Sequence, residues 1–530
     1  MTELVHQLIT RTAARVPGRE ALRYQGVSLS YREFAGAVEA FAASVIELGL
    51  ERGARVAVYA EKRFETVVAM FGTAAAGGAY VPVNPLLKAD QVAYILRDCD
   101  VRILVTSPER LQAMTAVLAE CPALRQVIVM SDELPNASPG ASPALVTLPW
   151  KKVMSPASKP ATHRVIDQDM AAILYTSGST GRPKGVVLSH RNIVAGACSV
   201  AEYLELTQDD RILSVMPLSF DYGMNQLTTA FLTGATAVLM NYLFPRDIVN
   251  IVQSEKITGL GAVPPLWIQL AQLEWPESAR QSLRYITNTG GHMPKETLAR
   301  LRAALPDTSP YLMYGLTEAF RSTYLPPSEI DRRIDSIGKA IPNAEILVVR
   351  EDGSPCAPGE PGELVHRGVL VSLGYWNDRD KTAERFKPVP GADPGLPMTE
   401  YAVWSGDTVK TDEDGYIYFV GRRDEMIKTS GYRISPTELE EVIHASTLVG
   451  EVAALGIAHP VMGQAIVIVA MAAGDAALAP EAIIAYCKKQ LPAYMVPAKV
   501  EIVTANLPRN PNGKIDRKQL AAERQDLFRG

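Results

Sequence analysis

The sequence predicts an α/β protein. A large N-terminal domain of mixed parallel sheets flanked by helices, with a small β region, would be followed by a small α+β C-terminal domain. Three observations lead there. Apolar β runs alternate with amphipathic helical runs through roughly the first 300 residues, the pattern of parallel sheet covered by helices. Near Ile337 the texture changes to short β runs separated by turn signals. Beyond Gly421 a third texture starts, giving domains at 1–421 and 425–530 with a hinge near Asp424. At 530 residues the chain exceeds the size at which one hydrophobic core stops growing, so more than one domain is expected.

The elements follow in order. Ser30-Tyr31-Arg32-Glu33 reads as a capping box opening a helix to about Leu48. Strands are expected at Arg55 to Ala60, Tyr80 to Val83 and Val101 to Thr106, with helices at Arg63 to Ala76 and Ala89 to Arg97 between them. Ser131 to His163, rich in Pro, Ser and Ala, reads as a surface loop or insertion. Alternation resumes with the strand Ala171 to Thr176 and the helix His190 to Tyr203. Glu345 to Arg350, Gly362 to Arg367 and the pair flanking Asp414-Gly415 form the antiparallel β region. Ser435-Pro436-Thr437-Glu438 combines an N-cap, Pro at N1 and Glu at N3, and opens a helix. Strands near Val452 to Ile457 and Ile466 to Met471 and a helix from Pro480 to Gln490 complete the small domain.

Composition narrows the function. The formal net charge is -5, and no run of Lys and Arg offers a footprint for nucleic acid or an anionic membrane. The five cysteines (Cys99, Cys121, Cys198, Cys356, Cys487) are scattered, without a CxxC pair or zinc spacing, and read as reduced thiols. Met1 to Gly18 has no apolar segment of the signal-peptide kind, and the longest apolar run, Ala465 to Ala473, is too short to span a bilayer. A cytoplasmic protein without nucleic-acid partners or membrane insertion is expected.

The most telling segment is Thr176-Ser177-Gly178-Ser179-Thr180-Gly181-Arg182-Pro183-Lys184-Gly185, placed between an apolar strand and the helix near His190. Glycines allow backbone N–H groups to approach phosphate oxygens, hydroxyls donate further bonds, and Lys184 adds a positive charge. Pro183 and Gly185 exclude the Walker A pattern, which disfavours a P-loop ATPase. A flexible Gly/Ser turn would account for the composition alone.

This loop resembles the signature of the adenylate-forming superfamily, which includes acyl-CoA synthetases, adenylation domains of nonribosomal peptide synthetases and beetle luciferases. The resemblance covers essentially the whole chain. Tyr314-Gly315-Leu316-Thr317-Glu318 matches YGxTE, and Ser405-Gly406-Asp407 matches TGD with Ser for Thr. Gly421-Arg422-Arg423-Asp424 matches GRxD, Ile427 to Ile434 matches IKxxGxRI, and Asn510 to Ile515 matches NxxGKI, all in the family's order. The phrases SFDYGMNQL and VWSGDTVKTDEDG also look like stand-alone ligases encoded with bacterial exosortase systems.

The resemblance implies an AMP-forming acid–thiol ligase using ATP and Mg²⁺. It would convert a carboxylic acid to acyl-AMP and pass the acyl group to CoA or to the phosphopantetheine of a separate carrier protein. Residues carry over as follows. Lys514 would be the catalytic cation, and Glu318 with Thr317 would serve Mg²⁺ and phosphate. Thr176, Ser177, Gly178, Ser179, Thr180, Gly181 and Lys184 would cradle the phosphates. Gly290, Gly291, Tyr314 and Gly315 would frame the adenine, and Asp407 would accept from the ribose hydroxyls. Arg422 and Arg433 would lie near the nucleotide. Asp424 would be the hinge of a mobile C-terminal domain. The alternatives are a fatty or aryl acyl-CoA synthetase, a luciferase-like oxygenase, and a nucleotide-binding homologue without catalysis. The last is disfavoured because Lys514 and Glu318 are both present.

Phe220-Asp221-Tyr222 points to the acid. Many acyl- and aryl-CoA ligases carry His at the Asp221 position, whereas amino-acid adenylation domains carry Phe-Asp. A buried carboxylate asks for a cation, so an acid bearing an amine is expected. The competing reading makes Asp221 a cap of the helix near Gly223 to Leu232.

Overall fold

The computed structural model describes the chain except residues 1–2, 135–144, 159–161, 177–182, 423–424, 430–431, 461, 475–477, 492, 511–512 and 529–530. Among the described residues the strands form three sheets. The first has seven strands. Val146–Pro149, Gln126–Val129, Val101–Thr106, Arg55–Tyr59, Ala79–Pro82 and Met170–Thr176 run parallel, and Lys184–Ser189 closes the edge as an antiparallel hairpin partner of Met170–Thr176. The signature loop therefore bridges two strands, and the helix His190–Tyr203 begins only after the second of them. The run Val186-Val187-Leu188 is buried and rich in β-branched residues, which suits a strand.

The second sheet has fourteen strands and crosses from one texture to the other without a break. Gly259–Ala262, Tyr285–Asn288 and Ser309–Tyr314 pair in parallel. Thr323–Leu325, Ser336–Ala340, Ile417–Arg422 and Tyr401–Thr411 continue the ladder antiparallel. The expected small β region is thus an extension of the main sheet. Tyr401–Thr411 in this extension has one-sided burial, whereas the parallel strands Gly259–Ala262 and Tyr285–Asn288 are buried throughout.

The helix Tyr31–Glu47 opens on the Ser30/Glu33 capping box, as the sequence predicts. It packs over the helix Phe64–Ala76, and Phe34, Phe71 and Phe231 form an aromatic cluster with centroids 5.0 to 6.4 Å apart. The Ser131 to His163 stretch is not all loop: it contributes the edge strand Val146–Pro149 and a helical turn Trp150–Val153, with Trp150 stacked on Phe41.

The small C-terminal unit has its own five-stranded sheet. Val449–His459 and Gly463–Ala472 form its long antiparallel pair, and Lys499–Val503 adds in parallel. Each face carries a separate apolar cluster, one around Leu439, Ile443 and Ile468, the other around Leu455, Val467 and Leu520. The helix Pro436–His444 starts as expected, with Ser435 capping Glu438 and Pro at N1. No helix among the described residues is long and apolar enough to cross a membrane.

Candidate active site

A large cleft opens between the C-terminal ends of the parallel strands and the small unit. Tyr314 is the last residue of its strand, and Gly315, Leu316 and the single turn Thr317–Ala319 carry the chain along the cleft wall. Asp407 faces Arg422 across the antiparallel ladder, so the two side chains meet by register. The Tyr314 hydroxyl donates to Asp407 Oδ2, and Arg422 Nε lies 3.5 Å from Oδ1. Ser405 fills the role of the expected Thr: its hydroxyl donates to Leu364 O (2.7 Å) and accepts from the Asp407 N–H (3.0 Å). Burial pushes the Asp407 carboxyl up, while Arg422 and the Tyr314 hydroxyl pull it down. Its Oδ1 is buried and has no hydrogen-bond partner. A buried acceptor without a donor is the feature a ribose diol would satisfy.

One end of the cleft is built on the hairpin. Thr176 and Lys184 are register partners at its mouth. Ser177, Gly178, Ser179, Thr180 and Gly181 lie outside the described residues. The Lys184 ammonium sits over the Tyr375 ring at 5.2 Å, and the Tyr375 hydroxyl donates to Glu318 Oε1 at 2.5 Å. Burial, and the charge of Lys381, lower the Lys184 ammonium. Arg385 lies close by and donates to Trp404 O at 2.9 Å. Sequence alone does not single out Tyr375 and Arg385, because neither belongs to a Gly-rich or acidic pattern. Among the described residues this end presents cations (Lys184, Arg385) around one carboxylate (Glu318), a donor set that suits polyphosphate with a hard divalent ion.

Gly290 and Gly291 line the cleft after the strand Tyr285–Asn288. Gly290 has φ 80°, and Asn288 Nδ2 donates to Gly291 O at 3.0 Å, so the side chain before the double glycine holds the turn.

Lys514 reaches the same cleft from the small unit. Its backbone N–H donates to Asn510 Oδ1 (3.1 Å), its carbonyl accepts from the Asn510 N–H (2.8 Å), and Gly513 takes φ 77°. Pro511 and Asn512, between these bonded residues, lie outside the described residues. The Lys514 side chain keeps a path to solvent at the cleft, yet protein surrounds it. That enclosure, with Arg422 nearby, lowers the ammonium, while Asp407, Glu425 and Asp221 hold it up. Asp424 and the Arg433 side chain lie outside the described residues. The small unit also touches the large one where Glu441 Oε1 comes within 3.3 Å of His292 Nε2.

Asp221 is not the helix cap that the competing reading expects. The helix Asp221–Thr233 has Phe220 at its N-cap, without a side-chain cap bond. The Asp221 carboxylate instead accepts from Arg321 Nη1 at 2.6 Å. The carboxylate therefore has a cationic partner within the chain. Sequence reasoning misses Arg321 because it lies 100 positions away and its Phe-Arg-Ser setting has no motif. Phe220, Asp221 and Tyr222 all line the cleft, and the Tyr222 hydroxyl is tied to Thr287, 2.9 Å from its carbonyl.

The sequence profile of AMP-binding enzymes matches residues 9–376, and that of the AMP-binding enzyme C-terminal domain matches residues 438–514. The L-proline--[L-prolyl-carrier protein] ligase of Pseudomonas fluorescens is 31% identical over 98% of this chain and 99% of its own length. Tyrocidine synthase 3 of Brevibacillus parabrevis is 30% identical over 97% of the chain. The chain spans only 8% of that protein, and from 6% to 44% of other peptide synthases that it matches. Among solved structures, ATP-bound MatB from Rhodopseudomonas palustris has a TM-score of 0.85 at 26% identity, with 99% of both chains covered.

Proposed function

From the premise that this chain belongs to the family of AMP-binding enzymes, we propose that it is an AMP-forming acid–thiol ligase. It adenylates a carboxylic acid with ATP and then transfers the acyl group to the thiol of CoA or of a carrier protein's phosphopantetheine. The observation that carries the reading is the convergence of Lys514, Asp407, Lys184 and Glu318 on one cleft from four separate parts of the chain.

The chemistry follows from charge. A carboxylate is a poor electrophile, so its oxygen attacks the α-phosphorus of ATP. A P–O bond to the acid forms, the bond to the β-phosphate bridging oxygen breaks, and pyrophosphate leaves. Asp407 would accept from the ribose hydroxyls, and Lys184 and Arg385 would screen the polyphosphate. Glu318 would hold Mg²⁺, which neutralises phosphate charge. Lys514 would place its ammonium where negative charge grows at the α-phosphate. In the second step the thiol sulfur attacks the acyl carbonyl, its proton passes to solvent, and AMP departs. Lys514 is no longer needed there, so withdrawal of the small unit, hinged near Asp424, would open the thiol's path. Two domains, 1–421 and 425–530, are part of this proposal. The chain is proposed to act in the cytoplasm.

The reading is tested by supplying purified protein with ATP and a panel of acids. Acid-dependent AMP and pyrophosphate, with thioester on adding CoA or carrier protein, is the expected result. Cleavage to ADP and phosphate would exclude it.

A further inference from the structure

We propose that the acid activated here carries a second carboxylate, held side-on by the Nε–Nη2 edge of Arg321. This rests on the ligase reading above and adds the substrate class to it.

Arg321 is 2% exposed and lies in the cleft wall with Asp221, Tyr222 and Met313. Its Nη1 is fully engaged, donating to Asp221 Oδ2 (2.6 Å) and to Phe320 O (2.8 Å). Aromatic rings lie close to the guanidinium, Tyr222 at 5.0 Å and Phe320 at 5.6 Å. What remains is one edge, and both of its nitrogens, Nε and Nη2, are buried without a hydrogen-bond partner. A guanidinium offers only N–H donors and no acceptor, so the fitting partner for this edge is an acceptor. Two N–H groups side by side on a planar cation match the two oxygens of a carboxylate.

The competing chemistries fit less well. An ammonium group on the substrate would be drawn to Asp221 but would leave both Arg321 donors unmet. A plain alkyl or aryl tail would leave them unmet as well, against a wall that is already desolvated. Asp221 and Arg321 cancel in charge, so the pair alone presents no net field to refuse a second anion. Asp221 then acts as a positioning residue: its bond to Nη1 fixes the rotation of the guanidinium and so the direction of the free edge.

The test is pyrophosphate–ATP exchange by the full chain across straight-chain monocarboxylic and dicarboxylic acids of matched length, each with and without an α-amino group. The best dicarboxylic acid should exceed its monocarboxylic counterpart by about tenfold or more in kcat/KM, as a charge-assisted bidentate contact allows. Arg321→Met should erase that margin. Because it strands Asp221, the Asp221→Asn/Arg321→Met double variant is measured beside it, with ATP binding by calorimetry as the check that the fold and nucleotide site persist. The double variant should lose the same margin while binding ATP normally. A wild type that prefers a monocarboxylic acid or a simple monoamino acid, or a margin that survives in the double variant, would overturn the inference and leave the ligase reading standing. ATP hydrolysis to ADP, without exchange on any acid, would overturn both.

Discussion

Lys514 is held by backbone bonds to Asn510 and is exposed at the cleft, and the surrounding protein and Arg422 lower its ammonium. Replacing it with Ala should cut the adenylation rate by about 10²–10³-fold, the usual loss when one donor to developing charge is removed. Transfer from supplied acyl-AMP to the thiol should continue, which rapid-quench assays of each half-reaction would reveal. The pH sign follows from the same lowering. On the proposed mechanism the lysine acts as an ammonium below its pKa, so the rate should fall as pH rises through it. The alkaline limb of kcat/KM for adenylation, which reports the free enzyme, should therefore lie below the ordinary lysine value of 10.5. Asp407 makes a second prediction. Its Oδ1 is a buried acceptor awaiting donors, so Asp407→Asn should raise the KM for ATP by about 10- to 100-fold, the worth of a hydrogen bond to a charged group.

At the scale of elements, the helix Asp221–Thr233 is the piece that turns packing into specificity. Gly223 sits in its first turn, and a Cβ there would come 2.0 Å from the carbonyl oxygen of Pro217. Gly223→Ala should shift the helix start that carries Asp221, costing about 1–3 kcal/mol of stability as an overpacked site, with activity on the best acid falling further than ATP binding. Denaturant unfolding and calorimetry would separate the two. This helix also shows what sequence can and cannot deliver. Its position, and the bounds of Tyr31–Glu47 and His190–Tyr203, follow from local periodicity and caps that the chain states within a few residues. Tyr314, Asp407, Lys184, Glu318 and Lys514 are readable from motifs, and all line the cleft. The Asp221–Arg321 pair is not, since it depends on bringing together residues 100 positions apart. The hairpin strand Lys184–Ser189 is easily absorbed into a loop because the conspicuous Gly-rich run hides the β-branched one after it.

For the whole molecule, the meeting of the two units at His292 and Glu441 offers a test of the proposed motion. Burial raises the Glu441 carboxyl to about 7 and lowers His292. If closing raises Glu441 and lowers His292, the Glu441 contribution to closure should weaken as pH rises from about 4.5 towards 7, while the His292 contribution should strengthen as pH rises towards 6.5. Glu441→Gln should remove the first contribution and leave the second, measured by fluorescence transfer between dyes on the two units. A His292→Cys/Glu441→Cys pair joined by a short cross-linker, in a Cys198→Ser background because Cys198 is exposed, should retain a single turnover of adenylate and lose thioester formation. Unimpaired thioester turnover in the tethered protein would show that the units need not part.

The five-stranded sheet of the small unit is packed on both faces by its own apolar clusters, and this has a consequence for inheritance. A segment that carries its interior with it can be cut out at its boundary and grafted onto another parent without leaving a wound in either. Crossovers between distant homologues should be tolerated at that junction far more often than within the fourteen-strand lattice, where each seam would sever a shared ladder. Such exchange would replace the piece that carries Lys514 and leave the cleft wall around Arg321 unchanged.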